Sequence, residues 1–182
     1  DDVFVVGQFS STVEFGNGAE GSSLTALNNY DGYALNLDSN GNFKLVKRFG
    51  TSGAGTEIAS SVYVEPNGNF LVSGIFNGLY YFDDLEGERT LSTNGNGDIF
   101  LAKFDKDGNT LWFHSIEGQG NEDVETIYED ENGNIYLGGN FWSTVDFDPN
   151  GTKNELTARY NDGFILKLNQ TICADFAIIP DS

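Results

Sequence analysis

A unit of about 65 residues recurs nearly three times along this 182-residue chain, and that period limits the fold more than any other feature. The runs FVVGQF (4–9), FLVSGIF (70–76) and IYLGGNF (135–141) align on Gly7, Gly74 and Gly139, which lie 67 and 65 residues apart. Phe9, Phe76 and Phe141 follow in step, as do Val13, Tyr80 and Val145, then Phe15, Phe82 and Phe147, then Leu24, Leu91 and Leu156. After a one-residue deletion in the third copy come DGYALNLD from Asp31, DIFLAKFD from Asp98 and DGFILKLN from Asp162. Each alternates large apolar residues with small or polar ones, the period of a half-buried strand.

Turn signals recur with the strands. SNGN at 39–42 matches KDGN at 106–109, and PNGN at 66–69 matches ENGN at 131–134. Asn-Gly and Asp-Gly supply the positive φ that a tight hairpin needs, so each pair specifies strand, turn, strand. In the second unit this places strands near 70–76, 79–83, 98–104, 110–116 and 124–130, the piece at 79–83 being a short excursion from about four main strands. No window sustains an apolar period of 3.6, so helices are expected to be rare. Glycine, at 23 of 182 residues or about 13% against the usual ~7%, fits many tight turns.

The expected fold is all-β, with consecutive four-stranded antiparallel blades of the β-propeller kind and an open β-solenoid or a stack of sandwich modules as the alternative. The units run 1–68, 69–133 and 134–182, the first beginning in mid-hairpin and the third ending in a divergent tail, 172–182, with Phe176 at the place of Trp112. A propeller needs at least four blades, about 260 residues at this period, so closure calls for more than this stretch supplies. The chain has no methionine and opens Asp-Asp-Val-Phe rather than with a basic and apolar leader, which sets the expectation of a processed or partial stretch of a larger protein.

The formal charge of −19, from 28 acidic and 9 basic side chains, repels phosphate backbones and anionic membrane surfaces and argues against nucleic-acid partners. No apolar run approaches the ~18 residues of a membrane-spanning helix. Cys173 is the only cysteine, so it is either a buried thiol or the partner of a cysteine elsewhere in a longer chain.

The segments DIFLAKFDKDGNTLWFHSIEG, DENGNIYLGGNF and TVDFDPNG resemble the bacterial SBBP-type β-propeller repeats, over roughly residues 2–171. The resemblance implies propeller blades, an extracellular or cell-surface location in Bacteroidetes-like bacteria, export by the type IX route, and adhesion or display. It carries no catalytic motif. The second copy departs from the others, with LYYFDDLEGERTL where the third has TVDFDPNGTKNEL.

Several residues have the type and spacing that chemistry could use. Asp105, Asp107 and Asn109, and likewise Asp146, Asp148 and Asn150, alternate carboxylates and amides as calcium loops do, without the full twelve-residue pattern or its terminal bidentate Glu, and hairpin turn chemistry is the competing reading. Asp83 with Asp84, or Asp123 with Glu125, would be the carboxylate pairs of a polysaccharide-active enzyme. His114 is the only histidine, so no zinc site with two histidines exists within the chain. Trp142 stands where the other copies have Ser10 and Asn77, and a Trp there is suited to stacking on a sugar or a protein. Asn150-Gly-Thr and Asn169-Gln-Thr fit the glycosylation sequon but read as turns.

These residues set the expectation of a non-enzymatic extracellular module that scaffolds or adheres through protein or glycan partners, with calcium as the one candidate cofactor. The alternatives are a propeller or accessory domain of a polysaccharide-active enzyme, and an architectural subunit of a surface assembly or filament. In each, the open strand edges are capped by another chain or by further blades.

Overall fold

The computed structural model describes residues 2–27, 29–51, 55–84, 87–93, 96–148, 153–170 and 176–178. Among them there is no helix, and the strands group by pairing into three successive antiparallel meanders. The first holds β1 (Val3–Phe9), β4 (Asp31–Leu37) and β5 (Phe43–Phe49), with β2 (Thr12–Glu14) and β3 (Ser23–Thr25) as a separate side hairpin. The second holds β6 (Ile58–Val64), β7 (Phe70–Phe76), β10 (Asp98–Phe104) and β11 (Thr110–Gly118), with β8 (Leu79–Asp84) and β9 (Gly87–Ser92) as its side hairpin. The third holds β12 (Glu122–Glu129), β13 (Asn134–Asp146), β14 (Glu155–Gln170) and β15 (Phe176–Ile178). Two residue pairs, Glu117↔Asp146 and Gly118↔Val145, join the second and third meanders into one path. That path bends until β12 lies against β6 and β7, giving a nearly closed, barrel-like antiparallel sheet.

The repeat columns of the sequence are cross-strand pairs of the structure. Val13↔Leu24, Tyr80↔Leu91 and Val145↔Leu156 occupy one position in three hairpins, and Thr12 and Thr144 each meet a partner threonine hydroxyl, Thr25 and Thr157, at 2.9 Å. In the third meander this hairpin is continuous with β13 and β14, which is why those strands reach 13 and 16 residues. The excursion expected at 79–83 is β8, one arm of the side hairpin. The pairing frame starts one strand before the sequence frame, because β6, from the first sequence unit, pairs with β7 of the second. The tail does form a strand on β14, but Phe176 stands opposite Gln170 whereas Trp112 stands opposite Lys103, so the two are not equivalent in register.

The four Asn-Gly or Asp-Gly turns singled out from the repeat are built alike. Asp38, Glu65, Asp105 and Asp130 each donate their N–H to the carbonyl four residues on, at 2.8–2.9 Å, and each accepts from the glycine N–H three residues on. Gly41, Gly68, Gly108 and Gly133 sit at φ of 81°, 90°, 85° and 78°, the left-handed position of a three-residue hairpin loop. In three of the turns the Asp carboxylate is a hub: Asp105 Oδ1 accepts from the N–H groups of Asp107 and Asn109, and its Oδ2 from Asn109 Nδ2, and Asp38 and Asp130 repeat the pattern.

The apolar core lies between meanders rather than within them. One cluster joins Ala34 and Phe49 of the first to Ala59, Phe70, Val72, Phe100 and Phe104 of the second, with Phe49 stacked on Phe100 at 4.9 Å. The other joins Leu71, Ile99 and Leu101 of the second to Val124, Ile127, Ile135 and Leu137 of the third. Strands β7 and β10 are consequently buried on both faces. The column Phe9, Phe76 and Phe141 is buried in all three meanders.

The recurring glycine has a steric cause. Gly7, Gly74 and Gly139 pair with Tyr33, Phe100 and Phe164, and the ring lies across the glycine in each case. A Cβ on Gly74 would overlap the Ile58 carbonyl oxygen and come within 2.6 Å of the Phe100 ring. Gly74→Ala is therefore expected to destabilise the chain by about 1–3 kcal/mol or more, as overpacking does. Gly41→Ala meets no neighbour and bears only its backbone strain. Urea denaturation of the two variants tests this, and an unchanged midpoint for Gly74→Ala would refute the steric assignment.

Candidate functional site

The seams between meanders carry the buried acids of the molecule. Asp31 opens β4 and Asp98 opens β10, and each meets a glutamate from just before or at the start of the next meander, Glu57 and Glu122. Asp31, Glu57 and Asp98 have no exposed surface and Glu122 has 2%. The chain sets them there by the same backbone device twice. Glu57 N–H donates to Tyr30 O at 3.1 Å and Glu122 N–H to Gly97 O at 3.0 Å, through the parallel bridges Tyr30↔Thr56 and Gly97↔Asn121.

Donors differ between the two seams. In the first, Glu57 accepts from Thr51 N and Oγ1 at 3.2 and 2.9 Å, while Asp31 accepts from Leu27 N at 2.9 Å and lies 3.7 Å from Arg48 Nε. Burial raises the Glu57 carboxyl above its usual range, and the hydrogen bonds from Thr51 and Asn77 oppose that rise. In the second seam Gly118 stands where the repeat places Thr51, and Ser115 where it places Arg48, so a hydroxyl and a cation are missing. Gly118 N still donates to Asp98 Oδ1, at 3.0 Å. Burial, then the hydrogen bond to Asp98 and the charge of Asp98, push Glu122 up to about 9. A carboxyl raised that far carries its proton at neutral pH.

Beside the second seam opens a cleft of about 270 Å³, lined by Thr56, Asn77, Asn96, Asn121, Asp123 and Trp142, with Glu122 at its wall. Trp142 is 37% exposed, and its backbone N–H donates to Asn121 O at 3.0 Å. Burial, and then the charge of Glu125, raise the Asp123 carboxyl.

Of the residues singled out from sequence, Asp105 and Asn109 form a turn hub, and Asp107 pairs with the Lys106 ammonium at 2.9 Å. Asp146 accepts from Asp148 N and Asn154 N at 3.1 and 2.9 Å. Among the described residues no three His, Cys, Asp or Glu side chains gather around a common point. Asn150, Cys173 and the side chains of Asp83 and Asp84 lie outside the described residues. Trp142 and Asp123 are brought to one cleft, while Glu125 is exposed on β12. His114, on β11, packs on Trp112 at 5.5 Å. The seam glutamates were missed, although Gly55-Thr56-Glu57 and Gly120-Asn121-Glu122 repeat at the same 65-residue spacing.

No protein-family model matches the chain, and a search of characterised proteins returned no match.

Glu122 and the turn acids have opposite pH signatures. Glu122, near 4.5 when unfolded and about 9 here, contributes stability that is complete below the unfolded value and lost as pH rises toward 9. Asp38, Asp105 and Asp130 are held below 3.8 by their Asn side-chain hydrogen bonds first and by turn N–H groups, Asp130 at about 2, so their contribution is lost as pH falls. The melting temperature is expected to decline between about pH 5 and pH 9 and to fall again in strong acid. Glu122→Gln, an isosteric mimic of the protonated acid, should flatten the alkaline limb. An unchanged limb in that variant would show that the seam does not hold the proton.

Proposed function

We propose that this chain is a run of β-propeller-type repeat units that acts as a non-enzymatic extracellular scaffold and adheres through protein or glycan partners. The observation that carries the reading is the seam: three meanders stack face to face, and both interfaces use the same columns of apolar residues and the same Asp–Glu contact. Units that bury their faces only against one another are what a radial array is made from. The outward face of the third meander is of the same kind. Ile165, in the column where Ala34 and Leu101 are buried at 1% and 2%, is 88% exposed, and Asp162 is exposed where Asp31 and Asp98 are fully buried. That face suits a further unit or another chain, as an adhesive or architectural array requires. A net charge of −19 suits an exported, soluble surface and disfavours anionic partners.

The arrangement is tested by lengthening the chain with further copies of its second unit and recording small-angle X-ray scattering. A propeller predicts a curved particle whose maximum dimension stops growing as the ring closes. A solenoid or a straight stack predicts linear growth with each added unit and would overturn the propeller. Adhesion is tested with beads coated with the chain and offered to glycan- and protein-coated surfaces, where capture by neither would refute the adhesive role.

A further inference from the structure

The cleft beside Trp142 is the place where the third meander differs most from its siblings in something other than packing. All three units break their strand pairing at one column: Ser11, Gly78 and Ser143 lie at φ of 61°, 113° and 63°, and between Trp142 and Thr144 the register with β14 shifts. A bulge of this kind re-aims the side chain next to it. The scaffold therefore presents one side chain per unit at this bend, and the three are Ser10, Asn77 and Trp142. In the third unit the bend carries an indole at the rim of a cleft whose opposite wall belongs to the second unit.

We propose that this cleft binds the ring of a neutral sugar, stacked on Trp142. The inference rests on the adhesive reading above and names its ligand class. Three features of the cleft select that chemistry. Its volume of about 270 Å³, just under the ~300 Å³ at which drug-sized ligand pockets begin, suits a single small ring. Its polar lining is of amides and a hydroxyl, from Asn77, Asn96, Asn121 and Thr56, groups that exchange hydrogen bonds with sugar hydroxyls in either sense. Its ionisable groups are carboxyls, Asp123 and the buried Glu122, with no Lys or Arg on the wall, so uronates, sulfated glycans and phosphates find no cation there while vicinal hydroxyls gain an acceptor in Asp123. The indole supplies the apolar face, and its N–H adds a donor at the rim.

The test is calorimetric and fluorimetric titration of the full chain with neutral hexasaccharides (cello-, manno-, malto- and laminarihexaose), with a polygalacturonate hexamer as the anionic control. The expected result is saturable binding of at least one neutral oligomer and none of the polygalacturonate. Binding should fall by about tenfold or more in Trp142→Ala and by several-fold in Asn121→Ala. Thermal melting is expected to be unchanged in Trp142→Ala, since the ring is at the surface, and Trp142→Phe should retain part of the affinity if folding of the Ala variant is impaired. No binding of any neutral oligomer, or binding indifferent to Trp142, overturns the proposal. Bead adhesion to protein-coated surfaces that Trp142→Ala abolishes, with no sugar bound, also overturns it and assigns the cleft to a protein partner. Loss of sugar binding with bead adhesion intact leaves the adhesive reading standing, whereas adhesion absent from both surfaces removes that reading first.

Discussion

No meander of this chain can bury both of its faces by itself, and everything else in the structure answers to that constraint. A sheet of three or four strands has two faces and almost no interior, so its apolar residues leave water only when another sheet lies against them. The second meander has a neighbour on each side, and its β7 and β10 are the most completely buried strands. The aromatic chain Phe49, Phe100, Phe113 and Tyr80, with ring centroids 4.8–5.5 Å apart, begins in the first meander and ends in the second. Deleting such a ring from a core costs on the order of 3–5 kcal/mol, so the Phe49–Phe100 contact ties the first seam strongly.

Placing carboxyl pairs inside those seams is expensive, and that cost is informative. A pair of apolar residues of similar volume would stabilise the contact at least as well, since desolvating two acids costs more than one hydrogen bond returns. What the acids add is position. Glu122 can satisfy Asp98 only when its N–H reaches Gly97 O and the parallel bridge is in register, so a slip by one residue would strand a buried charge. The first seam reaches the same geometry with more donors, Thr51 to Glu57 and Arg48 beside Asp31. One backbone device thus serves two seams with different side chains around it.

Much of the fold was legible because a repeat multiplies its own signal. The glycine column, the phenylalanine column and the Asn-Gly turns each speak three or four times, and they became cross-strand pairs and identical hairpin loops. The candidate site was less legible. Glu57 and Glu122 pair with aspartates 26 and 24 residues away in the neighbouring unit, and among 28 acids two more repeating ones do not stand out. The turns were ambiguous for a different reason. Asp105-Lys-Asp-Gly-Asn109 has the composition of a calcium loop because an Asx-stabilised hairpin and a cation site ask for the same oxygens, and sequence alone does not say whether N–H groups or a metal will take them. Trp142 was legible as an anomaly in its column, whereas the amides facing it come from another unit and emerge only with the seam.

That contrast suggests where a repeat scaffold of this kind places its variable chemistry. Positions that face a neighbour are fixed by packing, since Ala34, Leu101 and their partners leave no room for a polar group. Positions in the hairpin turns are fixed by the hub. The bend at Ser11, Gly78 and Ser143 is bound by neither, because its left-handed backbone breaks the ladder and frees the preceding side chain from both sheet faces. Asn96 across the seam and Asn121 on the adjacent strand end flank the Asp98–Glu122 contact, so the lock that fixes the register also fixes the spacing of the cleft. A substitution at 142 can then change what the surface recognises without touching what holds the units together.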